Sequence, residues 1–241
     1  MNNYTAVFKR HEKKYLLDKQ QYEALVTFLQ EYMKMDTYGL HTVQSVYYDT
    51  DTFDIIRTSN AKPTYKEKLR LRSYGTPNSE DTVFLELKKK FKGVVHKRRI
   101  TLTLREAERY LKSGIRPAHQ GQIFEEIDWF VQRHRPTAKA MLCCDRLALY
   151  GKDDPAFRVT FDFKIRWRDC NLQLSRGSHG DPLIAPGICL MEVKTDGAIP
   201  LWLSRYLSQN NIYPASFSKY GRCYNENLMK KTETGEMNYV G

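Results

Sequence analysis

Apolar and polar residues alternate along much of this chain with a period of two, and charges fill the polar positions. Over residues 157–168, Phe157, Val159, Phe161, Phe163, Ile165 and Trp167 alternate with Arg158, Thr160, Asp162, Lys164, Arg166 and Arg168. Over residues 66–74, Lys66, Lys68, Arg70, Arg72 and Tyr74 alternate with Glu67, Leu69, Leu71 and Ser73. Successive side chains of a strand point to opposite faces, so each stretch predicts a strand with one charged face. The same reading places strands at about 5–17, 42–50, 64–74, 82–91, 94–104, 138–150, 157–168 and 188–195. Gly75–Asp81 and Lys92-Gly93 supply turns, so the three strands between 64 and 104 form an antiparallel meander.

A period near 3.6 takes over between these runs. Tyr22, Leu25, Val26, Leu29 and Tyr32 predict a helix to about Met33, opened by Asp18 and Gln21 as a capping box. Further helices are predicted at 104–113, closing at Gly114, at 122–134, ending before Pro136, and at 200–210, with a short one at 52–59. Tyr47-Tyr48 and Trp129-Phe130 read as core. Residues 171–187 read as a loop, and those from about 225 to 241 as a frayed tail. With no internal repeat or linker, the expectation is one α+β domain over residues 1–241, whose eight strands can close into a barrel holding one small ligand.

Which face of the strands points inward is not forced by the pattern. An ordinary barrel puts apolar residues inside and charges outside. The reverse needs helices to cover the outer face, and this chain has enough of them. A row of like charges repels and costs desolvation, so its repetition on several strands suggests a concave surface for a strongly anionic ligand.

Composition agrees. Lys and Arg number 39 against 28 Asp and Glu, a net charge of +11 that implies nucleic acid, a membrane surface or phosphate chains as partner. Five cysteines without a CxxC pair fit a reducing compartment better than a disulfide framework or metal cluster. No signal-like segment is present, nor an apolar stretch of the ~18 residues needed to span a bilayer, so the expected location is cytoplasmic. No RNP-like run points to specific RNA readout, and no specific nucleic-acid partner is expected.

On the charged faces, Arg10, Glu12 and Lys14 lie together, as do Glu86, Lys88 and Lys90, then Lys97 and Arg99, then Glu192 and Lys194. Glu12 and Glu86 admit two readings, as cross-strand partners of lysines or as metal ligands. Asp162 reads as a structural partner of Arg158, while Lys13, Lys89, Lys90 and Arg98 are expected at solvent.

The order of these motifs resembles the triphosphate tunnel metalloenzymes, a CYTH-like superfamily, and within it the VTC, or polyphosphate polymerase, domain. The resemblance runs from Phe8 to about Tyr224. It rests on Arg10-His11-Glu12-Lys13-Lys14-Tyr15, Lys68-Leu69-Arg70-Leu71-Arg72, Glu86-Leu87-Lys88, Lys97-Arg98-Arg99 and Asp145-Arg146. The later motifs are Arg158-Val159-Thr160-Phe161-Asp162, Leu190-Met191-Glu192-Val193-Lys194 and Ser218-Lys219-Tyr220.

It implies an eight-stranded antiparallel barrel, lined with basic and acidic side chains, with helices packed around it. It implies that Arg70, Arg72, Arg146 and Arg158 clamp phosphoryl groups, as planar forks suit phosphate oxygens. Lys14, Lys88, Lys97 and Lys219 would neutralise charge along the track, and Arg10, Lys68, Arg99 and Lys194 would bind substrate. Glu192, with Glu86 and Glu12, would hold one Mn²⁺ or Mg²⁺. Hydrolytic and cyclase members open with Glu-x-Glu-x-Lys; here Arg10 replaces the first glutamate, which favours the polymerase branch. Eukaryotic members join this domain to a regulatory domain and membrane helices. Neither is found in this sequence, so a membrane partner would come from a separate chain.

The leading expectation is transfer of the terminal phosphoryl group of ATP onto inorganic polyphosphate. The alternatives are a triphosphatase and a non-catalytic polyanion-binding module.

Overall fold

The computed structural model describes residues 7–118 and 121–234, apart from the side chains of 7–10 and 232–234. Ten strands appear in chain order: β1 Val7–Leu17, β2 Met33–Met35, β3 His41–Asp49, β4 Tyr65–Tyr74, β5 Thr82–Phe91, β6 Val94–Thr103, β7 Thr137–Gly151, β8 Arg158–Arg168, β9 Asp181–Pro182 and β10 Cys189–Thr195. The helices are α1 Lys19–Tyr32, α2 Asp54–Asn60, α3 Leu104–Ser113, α4 Gln122–His134, α5 Leu201–Gln209, α6 Lys219–Cys223 and α7 Met229–Thr234.

All strands join one antiparallel sheet in the order β2-β7-β3-β4-β5-β6-β1-β10-β8-β9, and β7 also pairs with β8. The count of ten exceeds the expected eight. The additions, β2 and β9, have three and two residues, too short for periodicity to register.

The charged faces point inward. The apolar positions of β4 and β5, Leu69, Leu71, Val83, Leu85 and Leu87, pack outward against Ala107 and Tyr110 of α3 and Phe124, Ile127 and Phe130 of α4. Tyr15, Leu17, Val159, Phe161, Met191 and Val193 of β1, β8 and β10, with Phe157 just before β8, pack against Leu25 and Leu29 of α1 and Leu203 and Leu207 of α5. Helices therefore cover the apolar side of the sheet, and the cations are left on the other.

A third cluster lies on the charged side. Val43, Tyr47, Leu142 and Cys144 join Tyr220, Cys223 and Leu228 there, and the first four also line the central cavity, so this cluster forms part of its wall.

Helix ends follow local chemistry. Asp18 accepts the backbone N–H of Gln21 at 2.8 Å, and the Gln21 side chain accepts that of Asp18 at 3.2 Å, completing the capping box. Gly114 ends α3 at φ +69, a left-handed position that glycine takes without strain.

Three expectations are corrected. Strict alternation on β8 stops at Lys164, which has φ +45, where two residues oppose one on β7: Phe163 faces Asp145, and Arg166 faces Cys143. The bulge reverses the faces, so Ile165 and Trp167 join the inner cluster, while the Arg166 guanidinium turns to Ser178 and Asp145. Trp129 is 57% exposed, because α4 buries Ile127 and Phe130 and turns Trp129 away. Of the expected frayed tail, residues 225–234 are helical, with Leu228 buried and Lys231 paired to Asp169, while 235–241 lie outside the described residues. Those contacts are tertiary and leave no mark on local composition. No helix among the described residues is long and apolar enough to cross a membrane.

Leu85 is fully buried on the outer face of β5. Leu85→Ala is expected to lower stability by about 2–5 kcal/mol, read as a shift of the urea midpoint. An unchanged midpoint would mean that this face is not core.

Candidate anion-binding site

The inner faces enclose a cavity of about 1500 Å³. Period-two projection delivers Lys66, Lys68, Arg70, Arg72 and Tyr74 of β4 to its wall, and adds Lys88, Lys90, Lys97 and Arg99 from β5 and β6. Opposite stand Glu12 and Lys14 of β1, Arg146 of β7, Arg158 and Thr160 of β8, Glu192 and Lys194 of β10, and Lys219 of α6. Every expected site residue borders the cavity except Glu86, buried beneath it, and Arg10, whose side chain lies outside the described residues. Lys13 and Lys90, expected at solvent, also border it.

The cations are organised by a few buried carboxylates. Glu86 is fully buried and accepts from Arg70 Nε at 2.7 Å and Arg99 Nε at 2.5 Å, with Lys97 at 3.0 Å and Arg72 at 4.0 Å. Burial opposes its ionisation, but Arg70, Arg72, Lys97 and Arg99 outweigh that and hold it well below the usual range. Asp162 makes a bidentate pair with Arg146 at 2.6 and 2.7 Å and bonds to Lys219. Glu192 lies 3.0 Å from Lys194, 3.2 Å from Lys219, 3.5 Å from Lys14 and 3.6 Å from Arg146. Glu12 lies 3.2 Å from Lys14 and 3.3 Å from Lys88. For Asp162, Glu192 and Glu12 too, burial raises the pKa and the neighbouring cations bring it below normal.

Two pairings differ from expectation. Asp162 serves Arg146 and Lys219, not Arg158, whose partner is Asp36 at 3.5 Å. Glu86 and Glu192 occupy separate cation clusters, so Glu86 is not placed to share an ion with Glu192. The nearer carboxylate is Glu12: β1 and β10 pair Lys14 with Glu192 and Glu12 with Lys194, making the two glutamates diagonal neighbours that share Lys14.

Some cavity residues had no signal in the sequence. Tyr47 is buried as expected, yet its phenol oxygen accepts from Arg70 at 3.1 Å. Asp36, Tyr38 and His41 come from the loop between β2 and β3 and its edge, where no periodicity exists. Asp162 was visible as a charge, but its partners depend on the β7–β8 register.

Two lysines are strained electrostatically. Burial, with Lys88, Lys14 and Lys66 nearby, pushes Lys68 down to about 7. Burial brings Lys97 to about 7 as well, where Glu86 resists and Arg99, Arg72 and Arg70 assist.

The site is thus an inward array of arginines and lysines on a helix-covered antiparallel sheet. The chain matches the sequence profile of the VTC domain over residues 9–226, and it belongs to that family. Among solved structures, it is similar to a candidate adenylate cyclase from Bacillus halodurans. That match has a TM-score of 0.59 at 15% identity and covers 89% of this chain and 96% of the other. It is similar also to HpAC1 from Hippeastrum, a candidate adenylyl cyclase with a dominant triphosphatase activity. There the TM-score is 0.48 at 12% identity, with 96% and 97% coverage. The first shows a shared fold, and the second is too distant to add to it. No curated protein sequence matches the chain.

Two outcomes are expected. Glu86→Gln leaves four cations without their counter-charge and should cost roughly 3–5 kcal/mol, with millimolar sulfate restoring much of the melting temperature. A variant as stable as the wild type would remove Glu86 from the centre of this cluster. Sulfate keeps its charge across neutral pH, and a bound dianion favours protonated lysines. Sulfate affinity should therefore fall as pH rises through 7, where Lys68 and Lys97 lose their protons. A flat profile between about pH 6 and pH 8.5 would contradict the assignment.

Proposed function

We propose that the strand circuit acts as a closed eight-stranded tunnel in which the terminal phosphoryl group of ATP passes to inorganic polyphosphate. The observation that carries this reading is the state of the cavity's acids. Glu12, Glu86, Asp162 and Glu192 are each ion-paired and each held below the usual carboxylate range. Carboxylates so engaged are poor general bases, which favours an acceptor that needs no deprotonation. A phosphate oxyanion needs no deprotonation to attack. Covalent relay through the protein is disfavoured as well: the Cys144 thiol borders the cavity, but burial pushes it up to about 12.

Arg70, Arg72, Arg146 and Lys219 line the same cavity and would hold a chain of phosphoryl groups. Phosphoryl transfer depends mainly on such positioning and charge stabilisation. Replacement of an acidic residue by Arg10 in the opening motif supports the polymerase over the hydrolase.

A divalent cation fits the donor set. Among the described residues no three acidic, His or Cys side chains converge on one metal position. Mg²⁺-type ions are commonly held by one or two carboxylates together with substrate phosphates. Glu192 and Glu12 would hold such an ion together with substrate phosphates. Such an ion would neutralise developing charge on the phosphates. Lys14, shared by both glutamates, would be a partner for the phosphates.

Purified protein incubated with ATP and Mn²⁺, with products resolved by size, should yield phosphate polymers. Orthophosphate without chain growth would make water the acceptor, and binding without turnover would leave a polyanion-binding module. Arg72→Ala should lower the rate about 10²–10³-fold while the protein remains folded. Glu192→Gln should abolish the metal dependence of turnover while anion binding persists; an unchanged Mn²⁺ response would place the metal elsewhere.

A further inference from the structure

One end of the cavity differs chemically from the rest. Tyr38, His41 and Tyr74 gather at its wall, and none of them serves a phosphate in the reading above. Tyr38 meets His41 edge-on, with ring centroids 6.3 Å apart, and His41 meets Tyr74 in the same manner at 5.7 Å. Tyr74 also meets Phe84 at 5.6 Å and accepts from Arg99 through its hydroxyl, yet Tyr38 and Tyr74 remain 66% and 47% exposed. Exposed aromatic faces beside buried cations are costly to leave in water and suit a flat ligand.

The polar groups nearby have defined roles. The His41 Nδ1–H donates to the Gly39 carbonyl at 3.0 Å, which holds the ring in place. Asp36 also borders the cavity; its carboxylate accepts from the Tyr38 backbone N–H and lies 3.5 Å from Arg158, and its remaining lone pairs can accept from hydroxyl groups.

The position of this end is fixed by register. His41 pairs directly with Arg146. On β4, Tyr74 is followed inward by Arg72, Arg70, Lys68 and Lys66, one inward side chain per ~7 Å of strand. The wall thus runs from aromatic rings to arginines to lysines. A nucleoside triphosphate carries the same sequence of features: a flat base, then an anionic chain.

We infer that Tyr38, His41 and Tyr74, with Asp36, form the seat for the nucleoside of a nucleoside triphosphate. The base stacks at this mouth, the ribose hydroxyls face Asp36, and the phosphates point inward past Arg72 and Arg70. The terminal phosphate then lies toward the lysine-lined end. The inference rests on the triphosphate reading of the cavity, and it adds a direction of entry and a preference for nucleotide over bare triphosphate.

The test measures dissociation constants for ATP and for inorganic tripolyphosphate without added metal. Wild type should bind ATP with help from the base. Tyr38→Ala and Tyr74→Ala should each weaken ATP roughly ten-fold, the usual order for loss of one stacking partner, while tripolyphosphate affinity changes less than about two-fold. Tyr74→Phe keeps the ring and should keep ATP affinity. Unchanged ATP affinity in both alanine variants overturns the seat, as does a parallel loss for both ligands, since bare triphosphate has no base. Failure of the wild type to bind either ligand overturns the triphosphate reading and the seat together, whereas normal tripolyphosphate binding with base-indifferent variants overturns the seat alone.

Discussion

Everything in this fold depends on keeping a crowd of cations inside it. Arginines and lysines taken out of water repel one another and lose hydration, and no core of apolar packing compensates for that locally. The structure answers with a small number of carboxylates set between them. Glu86 serves Arg70, Arg72, Lys97 and Arg99, while Asp162 and Glu192 together serve Arg146, Lys219, Lys194 and Lys14. The positive residues around these acids exceed them in number, and that surplus charge is the feature on which the proposed binding of a polyanion rests.

The helices follow from the same constraint. With the polar face of each strand committed to the cavity, the apolar face must be buried elsewhere, and α1, α3, α4 and α5 provide the cover. The sheet is therefore packed outside in. The C-terminal segment ties the two sides together. It brings Lys219 into the cavity and Tyr220 onto Tyr47, at a centroid distance of 4.7 Å, joining the site to the inner apolar cluster.

Much of this was legible in the chain. Long alternating runs such as 66–74 and 82–91 fixed strand positions within a residue or two, because period two is a strong signal over ten residues. The candidate side chains followed, since a strand that presents Arg70 to one face must present Lys68 and Arg72 there as well. The choice of face was not legible, because either assignment satisfies the alternation; only the amount of helix hinted at it. Register-dependent features were hidden too. The bulge at Lys164 turned Arg166 away, and the partners of Asp162 and Glu86 depend on which strands lie side by side. Loop residues such as Tyr38 and His41 carry no periodicity and emerge only when the fold brings them to the cavity.

The central claim is that these inward cations receive a phosphate chain. Diffraction from crystals grown with inorganic tripolyphosphate tests it most directly. The account predicts phosphate groups inside the cavity, within hydrogen-bonding distance of Arg70, Arg72, Arg146 and Lys219, with Glu86 still holding Arg99. Tripolyphosphate found only on the outer surface, with the cavity side chains paired solely to each other, would contradict it.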